Sequence, residues 1–587
     1  MKKTIKTAVL LCLTVFVLLS AVSCNGGLPF ETFETTTGTE TPDATTPQET
    51  PAEPEQITPE ETTPESTTPE ITTPEVTTPE ETTPEVTTPE ETTPEEPDYD
   101  LPEKIDMQGY TYKAYVRKFA GTDPDALHAQ IMNGNNRYEC IDFWVDETTS
   151  GRDAISAAVY RRNSQIETDY NCKIQQIASN GSQIEHLVNS YTNFEGYDLT
   201  IIMAKAAAQA ATQNLLRNLK DMTYVDLSHE AFDQNSINEL SVADKLYFLS
   251  GDMNISTMEV AGFTIVNLDF YDLLAETIVE TFDKDPTYSD IYNIVKANKW
   301  TMDTMMTIAE LANVDAGVDG GELHVLPHGT NKDGTIVDNK YSGGDIVGYH
   351  QYLYSGLWYF YGSGGRITAK NDEGLPEVVF GSDTAETLYN YIFDKFNRKI
   401  NAPWIPQEAY AILNMNFLTG YVLFADMSLF NIRTEIYTTA DFEYGILPTP
   451  VYEEGKDYRS VVHFNNWAHL WAIPSLTNNT EYAERMMQIM ATYSSLPDST
   501  MSAYYDRTVC FITSSENKSR EVLDIIRTSL VYDMALLYPS WGGIETILSR
   551  IPNREAPEYA GIKDGLEFSI DEMEFTIERL LNPGAEY

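Results

Sequence analysis

The sequence predicts an α/β body carried behind an export segment and a long spacer with no core of its own. Three observations predict this. A short apolar run opens the chain, a Thr-Pro-Glu repeat fills residues 30–100, and helix-spaced and strand-like segments alternate from residue 110 to residue 204.

The first element is MKKTIKTAVLLCLTVFVLLSAVSCNGG. Lys2, Lys3 and Lys6 form a basic leader ahead of a largely apolar stretch from Ala8 to Val22. At roughly fifteen residues that stretch is short for a bilayer-spanning helix, so it reads as an export signal, residues 1–23. Ala21-Val22-Ser23-Cys24 resembles a bacterial lipoprotein signal, in which the cysteine is lipidated and becomes the mature N-terminus. Ala21 stands where that pattern usually has Leu; the alternative is an ordinary cleaved signal with Cys24 a bystander. A lipidated end holds a protein to a membrane without crossing it.

The second element, residues 24–100, is a spacer whose repeat reads VTTPEETTPEVTTPEETTPEE around residue 75. Residues 30–100 hold 21 Asp or Glu and neither Lys nor Arg. Proline removes backbone donors and favours extended geometry, and the carboxylates repel one another. Too little apolar surface remains to offset the ordering entropy, so the segment is expected to stay disordered. Fully extended at about 3.1 Å per residue it would reach roughly 200 Å, a stalk that carries the body away from the membrane. Its Thr-Pro richness also suits O-glycans.

Of the chain's 90 acidic and 38 basic residues, 69 and 35 belong to the body, a balance near −34. Charge of that sign excludes binding to nucleic acid or to an anionic membrane through electrostatics. Past Cys24 only Cys140, Cys172 and Cys510 remain, so this is no disulfide-stapled scaffold. A Cys140–Cys172 bridge is open to the chain, and free thiols are the expected state.

The body opens with YTYKAYVRKF (110–119), a strand ending in the loop AGTDP. Residues 152–168 carry Ile155, Val159 and Ile166 at helical spacing. CKIQQI (172–177) alternates like a strand, SQIEHLVNSY is helical, and YDLTIIMA (197–204) reads as a buried strand. This βαβαβ order implies a parallel sheet with helices on its faces. Such sheets bind ligands at the carboxyl ends of their strands, which marks the loops at 121–124, 180–182 and 205–208.

The next stretch carries a resemblance. YVDLSHEAFDQNSINELSVADKLYFLSGDMN (224–254), FTIVNLDFYD (263–272) and DIYNIVKANKWTMDTMMTIAELA (290–312) resemble the clostridial-type extracellular solute-binding proteins, family 1-like, that serve ABC importers. DAISAAVYRRNSQIETDYN (153–171), FEYGILPTPVYEEGKDYRS (442–460), WAIPS (471–475) and REVLDIIRTSLVYDM (520–534) agree in the same order. The blocks span about residue 108 to residue 560, nearly the whole body. The resemblance implies a type II periplasmic-binding-protein fold: two α/β lobes with a hinge and an interlobe cleft. It places lobe 1 at 105–255 plus 445–505 and lobe 2 at 256–444 plus 506–587. The hinge falls near 252–257 and 444–447. It further implies a monomer without a cofactor, whose partners are a small solute and the transmembrane subunits of an ABC permease.

Residues for catalysis are harder to find. There is no G-x-S-x-G, and YGSGG (361–365) has the wrong spacing for a nucleophile elbow. His324 and His328 are separated by Pro327, which breaks the helix that a zinc pair would use. Asp315, Asp319 and NKDGTIVD (331–338) lack the full spacing of a calcium loop. Carboxylates abound, but nothing singles out a glycosidase pair. No metal is expected.

Binding is better supported. Sugars are held by aromatic faces against their C–H patches and by polar side chains on their hydroxyls. YLYSGLWYFYGSGGRI (352–367) is similar to the stretch of maltose-type binders where an aromatic about ten residues before a Gly-Gly pair faces the sugar. By position that aromatic is Tyr354, with Tyr352 on the same side if the chain is extended, while Trp358 and Tyr359 read as helix-face core. In GYVLFADMS (420–428), Asp426 follows an apolar run as a strand-end carboxylate suited to a hydroxyl or to capping a helix. HFNNWAHLWAIP (463–474) offers Asn466 and Trp467, with Trp471 as core. Trp541 sits in the turn YPSWGGI, and Asp252 and Asn254 sit at the first crossover. Trp300 reads as packing.

The chain is therefore expected to be a lipid-anchored extracellular receptor, not an enzyme, that captures an oligosaccharide between two lobes for an ABC permease. Its place is the outer face of the cytoplasmic membrane. A surface adhesin using the same cleft without transport is the rival, and a glycan-active enzyme comes third.

Overall fold

In the computed structural model of the chain the described residues are 101–117, 142–151, 153–179, 182–313, 346–396, 417–418, 420–431, 440, 442–464, 468–506, 516–552, 555–563 and 565–584. Cys24, the spacer, Cys140, Cys510, the 315–338 motifs, Asn466 and Trp467 lie outside them.

The first sheet follows the anticipated alternation. β1 (Tyr110–Arg117), α1 (Ala154–Asp169), β2 (Cys172–Ser179), α2 (Gln183–Asn193) and β3 (Leu199–Met203) come in order, and α3 (Ala204–Thr212) follows at once. β1 pairs in parallel with β2 from Tyr110↔Cys172 to Arg117↔Ser179, and with β3 from Ala114↔Leu199. A distant strand, β11 (His469–Ala472), returns antiparallel beside β3, giving the order β11-β3-β1-β2. The helices start where short polar side chains satisfy the first free N–H groups: Asp153 accepts from Ser156 N, and Ser182 accepts from Glu185 N. Ile155, Val159 and Ile166 of α1 are buried, as their spacing predicts. Cys172 is a free, buried thiol, pushed up to about 11 by burial and by Glu167.

After α4 (Gln234–Leu240) the chain crosses at 250–261, through a short helix at Ile255–Glu259, into a second sheet ordered β5-β8-β4-β9. Its central strand β4 (Gly262–Asn267) pairs antiparallel with both β8 (Val422–Ser428) and β9 (Tyr444–Leu447); β5 (Val347–His350) lies parallel to β8. β4 is buried along its whole length because helices cover it, including α5 (Leu268–Thr281) and α7 (Ser355–Gly362), and each fully buried aliphatic side chain contributes roughly 1.5–3 kcal/mol. A Cβ at Gly262 would stand 2.2 Å from the Trp358 ring, so only glycine lets the indole cross the strand there. Trp300, before α6 (Met302–Ala312), is packing as expected: it is buried and donates from Nε1 to Pro448 O at 2.9 Å.

Two α/β layers therefore build the body, and the segments between them carry two corrections. The crossing placed at 444–447 belongs instead to 448–468, because β9 is hydrogen-bonded to β4 through Asn267↔Tyr444. There β10 (Ser460–Val461) pairs with β12 (Leu530–Val531), which follows α10 (Glu516–Thr528). The C-terminal segment is not confined to the second lobe. α11 (Ile544–Ser549) packs on α7, but α12 (Leu566–Leu581) packs on α3, and Tyr247 donates to Leu580 O at 2.5 Å. Among the described residues no helix is long and apolar enough to cross a membrane.

Candidate functional site

The residues that come together around Tyr354 are drawn from four separate elements. Tyr352 and Tyr354 sit in the turn entering α7; Tyr354 has φ −94° and ψ 4°, and Ser355 Oγ accepts from Tyr352 N at 2.7 Å. The pair is thus folded into a turn rather than extended, which corrects the expected strand-like alternation. Their rings still lie together: Tyr352 stacks on Trp358 with centroids 5.1 Å apart, and Tyr354 meets Tyr352 edge-on at 5.7 Å. Both tyrosines are half-buried.

Tyr354 also rests on His463, whose ring centroid is 3.7 Å away. His463 follows β10 in the second crossing and is 1% exposed. Its Nε2 lies 2.8 Å from Glu545 Oε1 in the first turn of α11, and Glu545 Oε2 takes Lys205 Nζ at 3.0 Å. Burial alone would raise the Glu545 carboxyl, but the His463 and Lys205 contacts outweigh it and hold the group below its ordinary range. An ionised Glu545 accepts the Nε2 proton, which leaves Nδ1 on the other side of the ring to accept or donate with the ring's protonation. That Nδ1 is buried and has no hydrogen-bond partner among the described residues. A buried polar atom without a partner costs about 1–3 kcal/mol, which a ligand hydroxyl, able to donate or accept, would recover.

Lys205 belongs to the first turn of α3, directly after β3, so the 205–208 segment is helix rather than loop. It does stand at the carboxyl end of a parallel strand, where the topology rule points. The Lys205–Glu545 ion pair joins the first sheet's layer to the helix packed on α7.

Asp426 takes another part than the one expected. It is not at a strand end, because β8 continues to Ser428, and it is 1% exposed. Its oxygens accept from Thr264 Oγ1 (2.9 Å), Tyr349 OH (2.5 Å), Ser355 Oγ (2.6 Å) and Tyr359 OH (3.2 Å). Burial pushes its carboxyl up to about 6 against those four hydrogen bonds. Asp426 therefore holds Ser355, and through it the tyrosine turn, instead of facing a sugar.

Trp541 is likewise corrected to core. It is 1% exposed, stacks on Tyr538 at 4.8 Å and lies 3.3 Å from Thr576 Oγ1 through Nε1. Asn254 is committed too, donating to Thr257 Oγ1 at 2.7 Å and to His469 O at 2.5 Å. Asp252 pairs with Arg527, and both line a cavity of about 340 Å³ with Asp233 and Tyr532. Tyr354 and His463 are not among its lining residues. Sequence reasoning missed His463 and Glu545; Lys205 was marked only by topology. Among the described residues no group of three His, Cys, Asp or Glu could hold a metal ion.

No protein-family model matches the chain, and no curated protein matches it. Solved structures do. An ABC substrate-binding protein from Listeria monocytogenes in complex with cycloalternan is similar at 12% identity, covering 80% of this chain and 99% of its own, with a TM-score of 0.44. An extracellular solute-binding protein from Staphylococcus aureus in complex with maltose is similar at 12% identity, covering 81% and 100%, with a TM-score of 0.47. A cyclo/maltodextrin-binding protein complexed with maltotetraose gives 13% identity, 82% and 100% coverage, and 0.45. Those ligands and transport roles are properties of those proteins.

Proposed function

We propose that this chain is a solute-binding receptor that captures an oligosaccharide between its two α/β layers. The observation that carries the reading is the Tyr354–His463–Glu545–Lys205 cluster, which links both layers and leaves a buried ring nitrogen without a hydrogen-bond partner among the described residues. Tyr354 and Tyr352 offer aromatic edges and faces to sugar C–H patches. His463 Nδ1 pairs with a ligand hydroxyl, and Lys205 and Glu545 supply a donor and an acceptor for further hydroxyls. The crossings at 250–261 and 448–468 give the hinge about which the layers close. Asn466 and Trp467 follow His463 by three and four residues and complete the proposed contact set.

Lipidation of Cys24 would hold the receptor at the outer face of the cytoplasmic membrane, with residues 24–100 as its tether. Delivery to the transmembrane subunits of an ABC permease follows from the sequence blocks that resemble importer-linked receptors. A thermal-shift screen of the body against an oligosaccharide panel tests the ligand class. One or more glycans should raise the melting temperature in proportion to ln(1 + [L]/Kd). A panel of glycans with no effect, beside a peptide or other metabolite that stabilises, overturns the saccharide reading.

A further inference from the structure

A cavity of about 310 Å³ lies where the hairpin β6 (Thr368–Lys370) and β7 (Pro376–Val378) meets the end of α4, and it shares no lining residue with the tyrosine–histidine cluster. Its charged lining is Glu239, Arg366 and Lys370. Glu239 is already engaged, accepting from Arg366 Nη2 at 3.2 Å and from the Tyr532 N–H at 2.6 Å. Arg366 Nη1 is buried and has no hydrogen-bond partner among the described residues. Lys370 stands at the open rim, its ammonium against Asn238 O, yet lost hydration and the nearby Lys220 charge pull it down to about 8. Lys220 in turn donates to Ala243 O at 2.9 Å. In a chain of net charge −52, two cations line one small cavity, Lys220 stands close to one of them, and Arg366 Nη1 has no hydrogen-bond partner among the described residues. An anion beside these groups relieves both features.

We propose that this cavity binds a compact oxyanion, a phosphate or sulfate group, on Arg366 and Lys370. The guanidinium offers its unused Nη1–H beside the Glu239-bound Nη2, and the ammonium offers a second charge from the rim. Lys220 and α4 belong to the first lobe's segment, whereas Arg366 and Lys370 belong to the second. An anion held there also screens the Lys220–Lys370 repulsion across that seam. The site is independent of the saccharide cleft, and either can fail without the other.

The test uses the full chain in low-salt buffer near pH 7, titrated calorimetrically with inorganic phosphate and melted beside sodium chloride at matched ionic strength. Phosphate should bind one to one and raise the melting temperature where chloride does not. K370Q should weaken binding about tenfold, and R366Q by at least as much, because each removes a charge-assisted hydrogen bond. Since Arg366 also holds Glu239, K370Q is the deciding variant if R366Q does not fold. Glycerol phosphate is the second probe: binding equal to inorganic phosphate assigns the site to a phosphate carried on a larger molecule, and weaker binding assigns it to the free ion. Equal shifts from phosphate and chloride, or K370Q binding phosphate like the wild type, overturn the proposal.

Discussion

Tyr354 and Asp426 were both read as ligand contacts, and their surroundings give them different work. Tyr354 is half-buried against His463, so truncation removes binding surface more than core. Tyr354→Ala is expected to cost about 2 kcal/mol of ligand affinity, roughly thirtyfold, with little change in unliganded melting. Calorimetry with whichever glycan stabilises the body checks this, and undiminished affinity removes Tyr354 from the site. Asp426→Asn replaces an acceptor oxygen by an N–H among hydroxyl donors, and should destabilise the body by about 2–3 kcal/mol. The pH dependence identifies the cause. The Asp426 carboxyl is raised from 3.8 to about 6, so between those values the folded state holds a proton that the unfolded chain has lost. Its contribution to stability therefore grows as pH falls from about 6 toward 4. Denaturant midpoints at pH 7 and pH 5 should show the wild type gaining on Asp426→Asn upon acidification; a constant gap refutes the assignment. Glu545 runs the other way. Held below its ordinary value, it contributes stability above about 4.5 that is lost as pH falls further.

At the scale of elements, the proposed cleft depends on α3 and α11 meeting across the seam. Lys205 is over a third exposed, so its ion pair is worth less than about 1 kcal/mol to global stability. Its leverage is on the relation between layers, because a difference of that size shifts an open–closed equilibrium several-fold. Lys205→Met should leave the melting temperature nearly unchanged while enlarging the unliganded radius of gyration in small-angle scattering, with the wild-type value restored by ligand. An unchanged radius and unchanged affinity would show that α3 and α11 stay together without the pair. The elements themselves were legible where a local rule governs them. Ile155, Val159 and Ile166 mark one face of α1, and capping by Asp153 and Ser182 needs only neighbours in sequence. The resemblance places a crossing at 444–447, where YGIL instead pairs with β4; nothing local in a four-residue apolar strand says which sheet it joins.

For the whole molecule, the spacer and the body are expected to behave separately. Deleting residues 58–96 should leave the melting temperature of the body within error, since the repeat has almost no apolar surface to pack. A loss of several degrees would show that the segment docks on the lobes. Cys24→Ala should release the protein into the medium or leave uncleaved precursor, and normal processing with retained membrane association would rule out lipidation. Net charge adds a further condition: a chain at −52 repels anions at long range, so any oxyanion reaching the Arg366–Lys370 cavity will bind more tightly as salt screens that repulsion, until it competes locally.

The sequence by itself determined the βαβαβ order of the first sheet and Trp300 and Trp471 as core, and it sets the expectation of a leader and a spacer ahead of the body. These follow from composition, periodicity and local capping, which act over a few residues. It also led to Tyr352 and Tyr354 through the motif around them. Tertiary structure alone decided that Asp426 and Trp541 are interior, since their partners, among them Thr264, Ser355 and Thr576, are between 35 and 162 residues away. It alone brought His463, Glu545 and Lys205 together, across separations of 82 and 340 residues. A lone histidine, glutamate or lysine carries no signal in its neighbours, because its role comes from which charges and donors the fold sets beside it.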